Sequence, residues 1–486
     1  MSAFSIVRDQ DLLRDRLLIG GAWVAGTGGQ QTVFNPADGL PLGTFALAAD
    51  TQVDQAIAAA DTALPAWKKL PAKQRAAILR RWYELIVDHA DDLARIMTLE
   101  QGKPLAEARG EVLFGASFVE WFAEEGKRIY GEIVPPPSDD RRLLVLREAV
   151  GVCAAITPWN FPSAMLARKA APALAAGCTL VVKPAESTPY SALALGELAQ
   201  RAGLPPGVLN IVFGDPPAIG RRFTEHPTVR KLSFTGSTRV GRLLLAQAAQ
   251  QVQKVTLELG GNAPFIVFAD ADLDAAIAGA IAAKFRNAGQ VCVAVNRIYV
   301  HATLYNDFVA RFAAAAEQLV VGAGLEPATQ VGPLINTSAL SRVEKLVEQA
   351  RATGAKVITG GRRHPAGELF YAPTVLTEVS PEQGVVREEI FGPVVSITPF
   401  TADEAVLSQA NATEYGLAAY FYTRDAARIF RIAEGLQFGM VAVNTPQIST
   451  EASPFGGVKA SGLGREGSRH GINDYLDTKT VWIAGL

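Results

Sequence analysis

The chain has 486 residues, 49% of them hydrophobic and 19% charged, with a formal net charge of −2. That length exceeds one ordinary core, so two or three domains are expected. The near-neutral balance and the lack of a long Lys/Arg run argue against nucleic acid or anionic lipid as the main partner. No apolar run is long enough for a transmembrane helix. Three cysteines far apart (Cys153, Cys178 and Cys292) argue against a disulfide framework and for a reducing compartment. Charged residues interrupt every apolar window of the N-terminus, which leaves no signal peptide, and a cytoplasmic enzyme is the expectation. The five histidines show no HxH or HExxH spacing and the chain no CxxC, so no protein-bound metal is expected.

In chain order, residues 1–50 read as turns and short strands. Helical periodicity follows at 51–63, 71–100 and 104–125, with Pro65, Pro71 and Pro104 as breaks. Residues 135–148 read as a projecting hairpin. From 150 onward, near-continuous apolar strands at 151–156, 179–183, 207–213, 231–235 and 254–259 alternate with helices, the pattern of a parallel sheet covered on both faces. A second alternation has strands near 264–268, 296–301, 355–359, 394–400, 417–423 and 438–443. The expected fold class is therefore α/β, two such units in series with a boundary near Gly260-Gly261. The chain ends in a strand, Thr478 to Ala484, an edge expected to pair with another element or subunit.

Chemistry concentrates at a few junctions. Cys292 follows Gly289-Gln290 where a helical pattern gives way to a strand, and Glu258 precedes Leu259-Gly260-Gly261-Asn262. A thiol that can attack and a carboxylate that can move a proton make a reaction centre if the fold unites them. Cys153 and Cys178 sit in apolar runs and read as buried bystanders. The formal GxGxxG, Gly462 to Gly467, follows no strand and opens no βαβ unit, so it reads as a glycine-rich turn. Phe234-Thr235-Gly236-Ser237, a strand end meeting a helix start, is the better pyrophosphate candidate. Lys183-Pro184-Ala185-Glu186 lies at another strand's carboxyl end, where open α/β sheets bind ligands; the alternative is a surface Lys–Glu pair. Asn160, in Thr157-Pro158-Trp159-Asn160-Phe161-Pro162, has an amide that can face an oxyanion, and a plain structural turn is the rival reading.

In this order TPWNFP, KPAE, FTGS, ELGGN, GQVC, Glu388-Glu389-Ile390-Phe391-Gly392-Pro393 and PFGGVKASGLGREG closely resemble the NAD(P)-dependent aldehyde dehydrogenase superfamily over almost the whole chain. The resemblance implies a Rossmann-like NAD-binding domain (1–124 and 149–259), a catalytic domain (260–450) and a small β oligomerisation element (125–148 and 470–486). It implies Cys292 as nucleophile, Glu258 as general base and Asn160 as an oxyanion donor. Thr157, Trp159, Lys183, Glu186, Gly236, Ser237, Glu389 and Phe391 are implied at the cofactor. Arg168, Arg286 and Ser449 match positions at which succinate-semialdehyde dehydrogenases grip the distal carboxylate. The alternative is that either arginine salt-bridges a structural carboxylate. The Glu of KPAE favours NAD, with NADP less favoured, and Ala294 stands where many relatives carry a second, redox-switching cysteine. The expectation is oxidation of succinate semialdehyde through a cysteine thioester by a homo-oligomer, dimer or tetramer. The rivals are glutarate semialdehyde, a broader range of aldehydes, and a non-catalytic binding protein.

Overall fold

The protein, described by a computed structural model over residues 3–485, is built on two large sheets, a small three-stranded one and a two-stranded ribbon, Gln30–Phe34 with Pro41–Ala46. Five parallel strands form the centre of the first: Lys254–Glu258, Val229–Thr235, Val152–Ile156, Thr179–Lys183 and Leu209–Ile211, in that spatial order. The first of these in sequence, Val152–Ile156, lies between strands that run outward in opposite directions. The order therefore reverses between Val152–Ile156 and Val229–Thr235. Such a switch point opens a crevice at the carboxyl ends of the strands. Here it sets Ile156 beside Phe234, and so brings Thr157 alongside Thr235 and Gly236. Gly462–Leu463 closes one edge by pairing with Leu257 and Glu258.

The second sheet has seven strands, with Val394–Phe400, Val295–His301, Ala263–Val267 and Ala418–Tyr422 at its centre. Lys254–Glu258 belongs to the first sheet and Ala263–Val267 to the second, so Leu259-Gly260-Gly261-Asn262 is the link between them. The terminal strand Leu476–Ala484 finds its partner within the chain: it pairs antiparallel with Arg141–Ala149, whose other side holds Glu132–Val134. Tyr130, Ile133 and Trp482 stand exposed on or beside this small sheet.

Two helix expectations need correction. The helix Asp50–Lys69 runs through Pro65: Asp61, whose carbonyl the proline leaves without its helical donor, is exposed, and continuation buries Trp67, whose indole N–H donates to Leu174 O at 3.1 Å. Conversely, 71–100 is two helices, Ala72–Asp88 and Ala90–Gln101, broken at His89, which sequence periodicity alone does not mark. The strand Thr374–Thr377, entirely buried, was not anticipated either. The helix Pro162–Ala176 is buried along its whole length, its alanines letting Leu105–Glu125 approach so closely that a Cβ on Gly115 would lie 3.1 Å from the Ala164 Cα. Among the described residues no helix is long and apolar enough to cross a membrane.

Candidate active site

Glu258, 2% exposed, ends its strand with neither carboxyl oxygen hydrogen-bonded among the described residues. Burial pushes its carboxyl well above the ordinary range; the neighbouring Glu466 adds to this, and Arg168 and Lys169 oppose it. A Cβ on Gly456 would sit 2.8 Å from Glu258 Oε1, so glycine is what lets the loop cover the carboxyl.

Cys292 emerges from an unusual turn. The helix Leu273–Phe285 ends, and Asn287, Ala288 and Gly289 then take φ values of 50°, 54° and 73°. Two of these three left-handed residues carry a Cβ, a conformation that persists only where the surroundings impose it. They do so here: Gln101 Nε2 donates to Asn287 Oδ1 (2.9 Å), and Asn287 N donates to Glu107 Oε2 (2.8 Å). Gln290 is locked by Pro333 O and Ile335 N. The Cys292 thiol is half-buried, and burial pushes it up to about 12, with the Arg168 guanidinium pulling the other way. On its far side, a Cβ on Gly261 would fall 2.3 Å from Cys292 O, which ties the inter-sheet link to the thiol's own backbone.

Asn160 is buried at the start of Pro162–Ala176, and its Nδ2 donates to Gln290 O at 3.0 Å, two residues before Cys292. The amide has a second N–H for another acceptor. Residues 160, 258 and 292 thus converge, the first through this hydrogen bond and the second through the effect of its charge on the thiol.

The switch-point crevice runs toward this centre. Thr157 Oγ1 is buried with no partner among the described residues, and Ser237 is exposed as the N-cap of Thr238–Ala248. The N–H of Gly236 is committed to Glu258 O (3.0 Å), so that residue offers an anion room rather than a donor. Lys183 and Glu186 are ion-paired with each other. Trp159 and Phe391 meet edge to face, centroids 5.7 Å apart, and Phe391 has a φ of 55°. Glu389 accepts from Gly261 N at 2.9 Å, and burial pushes its carboxyl to about 7. A buried hydroxyl and an open helix N-terminus at the strand ends, with an aromatic pair and the half-buried Glu389 carboxyl beyond them, fit an extended dinucleotide.

Two residues outside the expected set complete the centre. Glu466, from the glycine-rich turn, ion-pairs with Lys169 Nζ (2.5 Å) and Arg168 Nε (2.7 Å), all three nearly inaccessible. A lysine next to Arg168 inside the wholly buried helix Pro162–Ala176 was the available signal for Lys169, but nothing in sequence links it to a residue 297 positions away. Of the two arginines, then, Arg168 has its Nε on a structural carboxylate and its guanidinium 4.1 Å over Phe455. Arg286 is exposed, lies over the Phe161 ring at 5.5 Å and has no ion-pair partner among the described residues. Ser449 Oγ is buried with no partner among the described residues.

The family model described as Aldehyde dehydrogenase family matches residues 23–481. The chain belongs to the aldehyde dehydrogenase family. It is 54% identical over 478 residues to an NADP(+) succinate-semialdehyde dehydrogenase of Escherichia coli K12, covering 98% of this chain and 99% of the relative. It is 53% identical over 481 residues to a glutarate-semialdehyde dehydrogenase of Pseudomonas aeruginosa, 99% of this chain and 100% of the other. The crystal structure of a succinate-semialdehyde dehydrogenase from Burkholderia pseudomallei superposes with a TM-score of 0.98 at 56% identity, covering 99% of this chain and 100% of that one. This aldehyde dehydrogenase is an α/β oxidoreductase that works with a nicotinamide dinucleotide.

Proposed function

We propose that this aldehyde dehydrogenase oxidises succinate semialdehyde to succinate, with NAD preferred. The observation that carries the substrate class is Arg286, a guanidinium with no ion-pair partner among the described residues and whose charge reaches Cys292, with the Ser449 hydroxyl, unpartnered among those residues, as a second donor. An anionic tail on a short aldehyde supplies the missing acceptor. Arg168 adds positive potential at the inner end while Glu466 holds it in place.

In this reading Cys292 Sγ gives up its proton to water and adds to the aldehyde carbon, and the alkoxide is held by Asn160 Nδ2 and the Cys292 N–H. Lys183 and Glu186 hold the adenosine ribose, Ser237 with Gly236 the pyrophosphate, Thr157, Trp159 and Phe391 the nicotinamide end, and Glu389 its ribose. The chemistry of the dinucleotide when bound is to take the aldehyde hydrogen with its electron pair, which leaves a thioester on Sγ. Glu258 then removes a proton from water, which attacks the thioester and releases the acid. A carboxyl held well above its usual range is a stronger base for that task. In the same reading the first sheet forms the cofactor domain, the second the catalytic domain, and the small sheet with exposed Trp482 and Ile133 joins copies into a dimer or tetramer.

A second reading, glutarate semialdehyde, is favoured by the Pseudomonas relative, and one methylene discriminates by only about 1–3 kcal/mol. The test is kcat/KM for succinate, glutarate and unsubstituted aldehydes with NAD and NADP. Succinate semialdehyde with NAD should be highest; an unsubstituted aldehyde matching it refutes the anion site.

A further inference from the structure

We propose that Lys103 and Glu111 form a buried clamp that fixes the Asn160 backbone and thereby aims its side-chain amide at the oxyanion, which makes Lys103 a positioning residue; this rests on the reaction proposed above. Lys103 lies in the corner between helices Ala90–Gln101 and Leu105–Glu125, and its side chain and that of Glu111 are each 1% exposed. Lys103 Nζ donates to Glu111 Oε2 and, at 2.7 Å, to Asn160 O. Glu111 Oε1 accepts from Ser163 N (3.0 Å) and Ala164 N (3.2 Å), free donors of the first turn of Pro162–Ala176. One ion pair therefore grips both sides of the Asn160-Phe161-Pro162 bend, with the Phe161 ring 4.0 Å beneath Nζ.

The same corner steadies the thiol's turn. Asn160 O takes a second bond from Asn287 Nδ2 (3.1 Å), Gln101 Nε2 holds Asn287 Oδ1, and Lys103 N donates to Gln101 Oε1 (3.0 Å). Amide donor and nucleophile are thus referred to one frame. Stability alone does not call for this ion pair, since well-packed apolar residues of like volume serve as well or better. What apolar residues cannot do is hold a carbonyl and two N–H groups at fixed positions.

The experiment compares the intact enzyme with Lys103→Met, Asn160→Ala and the double variant Lys103→Met/Asn160→Ala. Lys103→Met should lower kcat about 10- to 100-fold, the scale of a misplaced oxyanion donor, and leave the aldehyde KM and NAD binding within about twofold. Alkylation of Cys292 by iodoacetamide, which needs no oxyanion donor, should keep its rate. In the Asn160→Ala background Lys103→Met should cost nothing further, because two residues acting through one donor are not additive. A multiplicative loss in the double variant, or an unchanged kcat in Lys103→Met beside an impaired Asn160→Ala, overturns the clamp and leaves the proposed reaction standing. If Asn160→Ala retains full kcat, the oxyanion reading falls and the clamp with it. Should Lys103→Met fail to fold, Lys103→Met/Glu111→Leu removes both charges together; the same loss of kcat supports the clamp, and full kcat overturns it.

Discussion

Arg286→Met separates substrate recognition from folding because the arginine has so little else to do. It is exposed, has no carboxylate within ion-pair range among the described residues, and lies on Phe161 at 5.5 Å. An exposed cation–π contact contributes about 0.5–1 kcal/mol, and the methionine thioether recovers part of it against the same ring, so the fold should lose less than about 1 kcal/mol. A hydrogen bond from a guanidinium to a substrate carboxylate contributes roughly 1.5–3 kcal/mol. Dividing by RT, kcat/KM for succinate semialdehyde should fall by about 10- to 150-fold, while butanal, which offers no anion, should change by less than about threefold. The loss should shrink in 1 M salt, where the Debye length is only about 3 Å, because an exposed charge attracts its substrate less through concentrated electrolyte. Arg286→Lys should fall between the two, keeping the charge and losing the planar fork. Initial rates of NADH formation give all of these values. Equal losses on the charged and uncharged aldehydes would refute the reasoning, since they would place Arg286 in the reaction machinery or the fold rather than at the anion.

Glu258→Gln keeps shape and removes the base, so one equivalent of NADH per subunit should appear in a burst, followed by slow turnover from a persistent thioester. An undiminished steady rate sinks the assignment. Glu186→Ser removes the partner of Lys183 and should raise NADP use relative to NAD; an unchanged ratio of kcat/KM for the two cofactors disproves the ribose role. Glu100, fully buried and accepting from Tyr190 N and Ser191 N, is pushed by burial up to about 8 from an ordinary 4.5. A raised carboxyl binds its proton in the native state while the unfolded chain has already released it. Its contribution is therefore complete below about pH 4.5 and is lost as pH rises toward 8, at no more than about 1.4 kcal/mol per pH unit. Glu100→Gln should flatten Tm against pH across that window, and an unaltered slope would exclude Glu100 as its source.

The strand–helix alternation and most of the parallel strands were legible because they are carried by neighbours in sequence: apolar runs, capping residues and glycines; the parallel strand Thr374–Thr377 was not. Cys292, Glu258 and Asn160 stood out as candidates for the same reason, each inside a short motif at the end of a predicted element. Pro65 misled because its propensity is local while the burial of Trp67 against Leu174 is not. Arg168 shows the same division. Its position pointed to a substrate ligand; only the folded chain brings Glu466 to it and leaves Arg286 as the free guanidinium. The partner of Leu476–Ala484 lies more than three hundred residues upstream, and the Lys103–Asn160 contact joins a loop to a strand end through a helix corner. Local sequence determines what a segment prefers to be, since propensity and periodicity act over a few residues. Which charges meet in a dry interior is decided by tertiary packing, because burial makes an unpaired charge costly and so selects its partner from whatever the fold places within reach.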